Sequence, residues 1–352
     1  MTERLGRVVM SLGPIIYRLR ERENLSVDET REAFDSIFAG QVSEEAIAAL
    51  LLALHRKGET ADEILGAVLS MRAKALTINA PKDAIDVVGT GGDAKGTFNI
   101  STAVALVVAA CGVPVAKHGN RAATSQSGSS DVLAALGINL EPSVEILEEC
   151  LMETCLCFLF APRHHPAMRF VAPVRKKLGV RTIFNLLGPL TNPANVKRHL
   201  IGVFSSTWLL PMAEVLYSLD SEAAWLTHGL DGMDEITTTA KTDVVALHGD
   251  EISRFAVSPE DAGLALASPN ELQGGDAATN AEAIKKLLAG GKNAYRDIVL
   301  LNAAAALVVS GKAEDLRQGV GLASENLDNG AAAGVLQKLV VLTNKVPYER
   351  HS

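Results

Sequence analysis

Asp86-Val87-Val88-Gly89-Thr90-Gly91-Gly92-Asp93 is the stretch that decides the fold. Three apolar or small residues make a short strand, and the strand runs straight into three glycines within five positions. A glycine-rich loop lets the main chain approach a ligand and aims successive N–H groups at one anion. Thr97-Phe98-Asn99-Ile100-Ser101-Thr102 follows and opens a helix expected over about 101–111, whose positive end adds to the same place. On its own, GTGG also reads as an ordinary turn before a capped helix. The hydroxyl and amide groups of Thr97, Asn99, Ser101 and Thr102 favour a phosphate cradle. Neither G-x-G-x-x-G nor G-x-x-x-x-G-K-[ST] fits, which disfavours a Rossmann or P-loop assignment.

Outward from this stretch the pattern repeats. Strands are expected at 113–117, 157–160, 200–204, 224–226 and 244–247, most of them separated by helical segments such as 131–136. Alternation of this kind means an α/β domain with a central, largely parallel sheet, and ligands then sit at the carboxyl ends of the strands. Lys117-His118-Gly119-Asn120-Arg121 follows the second strand, and Ser125 and Ser127-Gly128-Ser129-Ser130-Asp131 lead into the next helix. A solvated polar loop explains either segment alone; two donor-rich loops after consecutive strands suit a second phosphate or ribose contact. Asp234-Glu235 follows another strand. Adjacent carboxylates are a common surface turn, but beside a pyrophosphate they are hard ligands suited to magnesium.

The first ~75 residues contain no strand-like alternation. Ser26-Val27-Asp28-Glu29 and Thr60-Ala61-Asp62-Glu63 are capping boxes, Ser43 caps the helix between them, and apolar residues recur at helical spacing: a small helical domain. The segment from Pro166 to about Pro193 is helical and loop-like again and is expected to rejoin it. The expected domains are thus 1–75 with about 166–195, and about 80–165 with 196–352. His164-His165 lacks a third ligand at zinc spacing and reads as structural. Gly188-Pro189-Leu190-Thr191-Asn192-Pro193 reads as a rigid turn or hinge. Arg175 is one of several cations here, and spacing alone does not single it out.

The chain's 352 residues suit about two domains at roughly 150 each. Aromatics are only 4%, so the core is aliphatic, and a net charge of −8 gives no general attraction to nucleic acid or anionic lipid. Any polyanion must be held by local groups. Four cysteines without a C-x-x-C pair, no signal-like start and no apolar run near the ~20 residues of a membrane helix point to a cytoplasmic protein.

Taken together, GTGGD at 89–93, TFNIST at 97–102, KHGNR at 117–121, SGSSD at 127–131, HPAMRFVAPVR at 165–175, RTIFNLLGPLTNP at 181–193, GLDGMDEI at 229–236 and YRDIVLLNAAAALVVSGKA at 295–313 resemble the anthranilate phosphoribosyltransferases. The resemblance covers nearly the whole chain. It implies a small helical domain and a larger α/β domain joined by hinge segments, a homodimer, and transfer of phosphoribose from phosphoribosyl pyrophosphate to anthranilate in tryptophan biosynthesis. It assigns Gly89, Gly92, Asp93, Thr97, Asn99, Ile100, Ser101, Thr102 and Ser129 to phosphoribosyl pyrophosphate. The loop of Lys117, His118, Gly119, Asn120, Arg121, Ala122, Ala123, Thr124 and Ser125 is placed over the same ligand. Ser101, Asp234 and Glu235 are implied ligands of two Mg2+ ions, and Gly89, Asn120 and Arg175 implied contacts of anthranilate. No residue is assigned as an acid or base. The family usually has glycine after GTGGD, where this chain has Ala94. A pyrimidine nucleoside phosphorylase of the same fold, and a non-catalytic nucleic-acid-binding paralogue, are the alternatives; the acidic pair and the intact KHGN loop speak against both.

Overall fold

The computed structural model describes residues 12–121 and 127–345. These divide into two compact units, one of residues up to Leu76 together with Pro162–Thr191, the other of Thr77–Ala161 together with the residues from Asn192 on.

The first unit starts with α1 (Gly13–Arg20), α2 (Val27–Phe38), α3 (Glu44–Lys57) and α4 (Ala61–Arg72). Both expected capping boxes form: Ser26 with Glu29, and Thr60 with Glu63. Ser43 caps α3 by accepting from Ala46 N–H. α2 and α4 cross closely because Gly66 has no side chain; a Cβ there would lie 2.4 Å from the Val27 carbonyl oxygen. Their apolar faces bury Phe34, Ile37, Ile64 and Val68.

The chain then enters the second unit with β1 (Ile85–Gly89), α5 (Ile100–Ala110), β2 (Val115–Gly119), α6 (Ser129–Ala135), α7 (Val144–Thr154) and β3 (Leu156–Phe160). It passes through the short α8 (Ala161–His164) back to the first unit, adding α9 (Ala172–Leu178) and α10 (Phe184–Leu190). Phe184 packs its ring against Phe34 and Phe38. The stretch expected to be a rigid turn differs: Gly188–Leu190 complete α10, with Pro189 inside the helix. His164 and His165 are buried in this segment, and desolvation lowers both below the usual imidazole range, which fits a structural role.

The remainder of the second unit is β4 (Arg198–Gly202), α11 (Leu209–Ser218), β5 (Ala223–Gly229), β6 (Thr242–His248), β7 (Glu251–Val257), α12 (Ala277–Leu288), α13 (Ala294–Val309), α14 (Leu316–Asp328) and α15 (Ala331–Thr343). One seven-stranded sheet has the order β3-β2-β1-β4-β5-β6-β7. β1 to β5 are mutually parallel, and β6 and β7 are added antiparallel. The sequence reading missed β7: this edge strand is mostly exposed and lacks the apolar run of a buried one. α5 and α13 are buried almost throughout, and α13 packs on both α5 and β4. From β1 the chain order runs outward in opposite directions, to β2 and β3 on one side and to β4 and β5 on the other. The gap between β1 and β4 is therefore the topological switch point, where open α/β sheets bind ligands.

The helical unit depends on one buried ion pair. Glu63 has no exposed side-chain surface; it accepts from Lys57 Nζ at 2.9 Å and from the Leu25 and Thr60 N–H groups at 3.0 and 2.9 Å. Glu63→Ala leaves a buried ammonium and two N–H groups unpaired, and should lower stability by ~3–5 kcal/mol in denaturant titrations. A change below ~1 kcal/mol would show that the pair is dispensable.

Candidate active site

The register of β1 and β4 sets Gly89 directly opposite Gly202 at the carboxyl ends of both strands. Asp234 lies over this pair. A Cβ on Gly89 would come 2.7 Å from Asp234 Oδ2, and one on Gly202 would come 1.5 Å from the Asp234 main-chain oxygen. Two strand ends without side chains are what let the Asp234-Glu235 turn sit on the switch point.

The turn is built from within. Gly232 takes φ +90°, and its N–H donates to the Gly229 carbonyl at 2.8 Å. Asp231 accepts from Met233 N–H at 3.1 Å and from the Thr237 hydroxyl at 2.7 Å. On the far side Asn302, buried in α13, accepts from Ile236 N–H at 3.0 Å and donates to the Ile236 carbonyl at 2.8 Å. Asn302 had read only as a break in an apolar run. Its two bonds fix the main chain immediately after Glu235.

The glycine loop closes on the same turn. Gly91 N–H donates to Asp234 Oδ2 at 2.7 Å, and Gly91, Gly92 and Gly96 all have positive φ. Asp93 Oδ1 accepts from Lys95 N–H at 3.1 Å. Thr97 bridges to Gln273. Ile100 is buried, so its side chain faces the core. Ser101 Oγ accepts from Lys117 Nζ at 3.2 Å, and the Ser101 N–H donates to the Glu235 carboxylate. The Thr102 hydroxyl is buried and meets no partner among the described residues.

Lys117 is buried and also donates to the Val87 carbonyl at 2.6 Å. Desolvation lowers its pKa, opposed by the charges of Asp86 and Glu235. Asp86 is buried beneath it, accepts from His118 N–H at 3.1 Å and Asn192 Nδ2 at 2.7 Å, and is pushed up to about 6 by burial. Gly119 allows close packing, since a Cβ there would lie 2.5 Å from Ser129 Oγ. Ser129 Oγ donates to the Asn120 carbonyl at 3.4 Å, Asn120 Oδ1 accepts from Arg121 N–H at 2.7 Å, and the Arg121 guanidinium lies over Phe160. Ala122, Ala123, Thr124 and Ser125, also expected over the ligand, fall outside the described residues.

Negative charge is in excess here. Burial pushes Asp234 well above the carboxylate range, with Asp93 and Glu235 adding like-charge repulsion. Glu235 is raised by burial and Asp93, with Lys117 opposing. The donor set is all hard oxygen, which fits magnesium rather than a softer metal. Among the described residues no three His, Cys, Asp or Glu side chains form a chelate by themselves. Such a site fits an ion that fills its shell with water and substrate oxygens.

Arg175 belongs to the helical unit, on α9. Its guanidinium lies 5.4 Å from the Phe184 ring centre, burial lowers its pKa, and it forms no ion pair with any described residue. A stacked, partly desolvated guanidinium keeps its planar fork of donors available for a carboxylate.

A helical bundle joined to an α/β unit with a phosphate cradle at its switch point defines a class of transferase. The α/β domain of the glycosyl transferase family matches residues 81–333, and the helical bundle domain of the same family matches residues 13–75. The chain is 53% identical over 335 residues to an anthranilate phosphoribosyltransferase of Rhizobium etli, covering 95% of this chain and 99% of that one. A Bradyrhizobium diazoefficiens relative of the same name is 52% identical over 95% of this chain and 99% of its own. Among solved structures, the anthranilate phosphoribosyltransferase of Thermus thermophilus superposes with a TM-score of 0.89 at 43% identity, covering 94% of this chain and 99% of that one. The Saccharomyces cerevisiae enzyme in complex with phosphoribosyl pyrophosphate and Mg gives 0.85 at 25% identity, covering 95% and 99%. The chain belongs to the anthranilate phosphoribosyltransferase family.

Because the Asp234 carbonyl occupies the place of a side chain, Gly202→Ala forces a main-chain clash. We expect a loss of ~1–3 kcal/mol or more, with displacement of the turn. Gly321→Ala, in α14 with open space around it, should instead stabilise by up to ~1 kcal/mol. Thermal unfolding of the two variants checks the contrast; equal stabilities would contradict the close approach.

Proposed function

We propose that this protein transfers the phosphoribosyl group of phosphoribosyl pyrophosphate to the amine of anthranilate, giving N-(5-phosphoribosyl)anthranilate and pyrophosphate in tryptophan biosynthesis. The observation that carries this reading is the coincidence, at one switch point, of a glycine cradle, the start of α5 and an uncompensated set of carboxylates. A cradle alone suits any phosphate. With the acids it suits a metal-bound diphosphate.

In this reading Gly89, Gly92, Asp93, Thr97, Asn99, Ser101, Thr102, Lys117 and Ser129 hold phosphoribosyl pyrophosphate, with main-chain N–H groups doing much of the binding. Ser101, Asp234 and Glu235 hold Mg2+, two ions by family resemblance. Magnesium, when bound, supplies Lewis-acid neutralisation of the departing pyrophosphate. As the bond from ribose C1 to pyrophosphate breaks, positive charge develops on the ring, and the α5 N-terminus and Lys117 favour the anion left behind. The aromatic amine attacks as a neutral nucleophile, so no strong base is needed, and the remaining contribution is alignment of two substrates. Gly89 and Asn120 contact anthranilate, and Arg175 binds its carboxylate as a bidentate pair. A cytoplasmic homodimer, associating through the helical unit, completes the reading and rests on the family resemblance. No described helix is long and apolar enough to cross a membrane.

Replacing Asp234 and Glu235 together by Ala should abolish turnover, and excess EDTA should do the same to the unaltered protein. Phosphoribosylanthranilate formation followed by fluorescence is the assay; full activity in either case discards the metal assignment.

Arg175→Ala should raise the KM for anthranilate by the equivalent of roughly 2–5 kcal/mol and leave that for phosphoribosyl pyrophosphate near its original value. Arg175→Lys keeps the charge but not the fork, and should recover only part of the loss. If both KM values move together, Arg175 merely packs on Phe184.

A further inference from the structure

Asparagine is among the best helix N-caps because its side-chain oxygen accepts from the second or third N–H of the helix. Asn99 is the N-cap of α5 and makes no such bond. Its Oδ1 instead accepts from Asn280 Nδ2 at 2.8 Å. Asn280, buried in α12, donates also to Ser127 Oγ at 2.9 Å, and its own Oδ1 accepts from Gly275 N–H at 2.8 Å.

The Gly275 bond settles which way the amides point. A main-chain N–H can only donate, so the atom of Asn280 facing it is the oxygen. The nitrogen therefore faces Asn99, whose facing atom must be an acceptor. Asn99 is held on its other sides as well: the Tyr295 hydroxyl donates to the Asn99 carbonyl at 3.3 Å, and Tyr295 stacks on Phe98 at 4.7 Å between ring centres.

The consequence lies at the first turn of α5. Ile100 N–H donates to the Phe98 carbonyl at 2.9 Å, and Ser101 N–H to Glu235. The third N–H, that of Thr102, has no partner among the described residues. It is the group an N-cap side chain ordinarily takes.

We propose that Asn280 is a positioning residue that holds the Asn99 side chain away from its own helix, so that Thr102 N–H stays available to a phosphate oxygen. This rests on the function proposed above and adds a residue that touches no substrate. With Asn280 gone, Asn99 Oδ1 is held only by Ser127 Oγ at 3.4 Å, and capping Thr102 N–H becomes its better bond. The ligand must then displace an intramolecular cap.

The test is calorimetric titration with phosphoribosyl pyrophosphate in the presence of Mg2+. Asn280→Ala should weaken binding about tenfold, the loss expected when one hydrogen bond to a charged group is obstructed. The same replacement in an Asn99→Gly background should cost less than about twofold, because no side chain remains to compete. Any direct contact made by Asn99 cancels in that comparison. A merely structural role for Asn280 predicts the same loss in both backgrounds, and that result would overturn the proposal, as would unchanged affinity in Asn280→Ala. Should the Ala variant fail to fold, Asn280→Asp keeps the acceptor for Gly275 N–H, removes both donors and gives the same comparison. If the unaltered protein itself fails to bind phosphoribosyl pyrophosphate, the proposed function falls and this inference with it, a result distinct from the variant outcomes.

Discussion

The absence of two side chains organises the α/β unit. Gly89 and Gly202 end adjacent parallel strands, face each other in register, and leave a space filled by the main chain of Asp234. A sheet normally sends alternate side chains off each strand end. Here the last residue of both central strands has none, so a turn from the far end of β5 can lie across the switch point. Its acids then meet the glycine loop that leaves β1, as the bond from Gly91 N–H to Asp234 records. The geometry is over-determined from behind, since Asn302 fixes Ile236 and Asp231 fixes the turn's interior. The acids are thus carried by a rigid support even though both flanking segments are loops.

That support is electrostatically costly. Asp93, Asp234 and Glu235 share one place with Lys117 as the nearest cation, and Lys117 is itself drawn toward Asp86 beneath it. Burying several like charges is unfavourable unless something compensates them. Asp86 divides the field of Lys117 between the core and the site, so the ammonium neutralises neither side completely. The excess negative charge is therefore a built feature, and a divalent cation brought with a diphosphate is what offsets it. The same logic explains how an acidic protein binds a polyanion: attraction is local, through N–H groups and metal, not through overall charge.

Much of this was legible in the sequence because it is local. Capping boxes, glycine loops after apolar runs, and acidic pairs each declare themselves within a few residues, and Ser26, Thr60, Gly91 and Asp234 sit where local rules place them. The residues that escaped notice act across the chain. Asn280 and Asn302 are single polar residues in helices, and nothing near them in sequence reveals that one holds Asn99 and the other Ile236. Gly202 looks like any strand end until Asp234 is placed over it. β7 escaped for the opposite reason: an exposed edge needs no apolar pattern, and its pairing with β6 supplies the strand.

Ala94 shows how such a loop tolerates departure from glycine. Its φ of +59° is a left-handed conformation that disfavours a Cβ by roughly 1–2 kcal/mol. The residue before it offers compensation, since Asp93 Oδ1 accepts from Lys95 N–H and closes a side-chain turn around Ala94. The strain falls on a residue whose side chain supplies no ligand group, while Gly91 and Gly92, also at positive φ, keep the conformational freedom the cradle needs. Alanine also narrows the unfolded ensemble relative to glycine, which returns part of the cost. A glycine-rich binding loop therefore has two kinds of glycine. Some are required because a ligand or a neighbouring chain must come close; others only make a turn cheap. Ala94 replaces one of the second kind, and the donors around it are left in place.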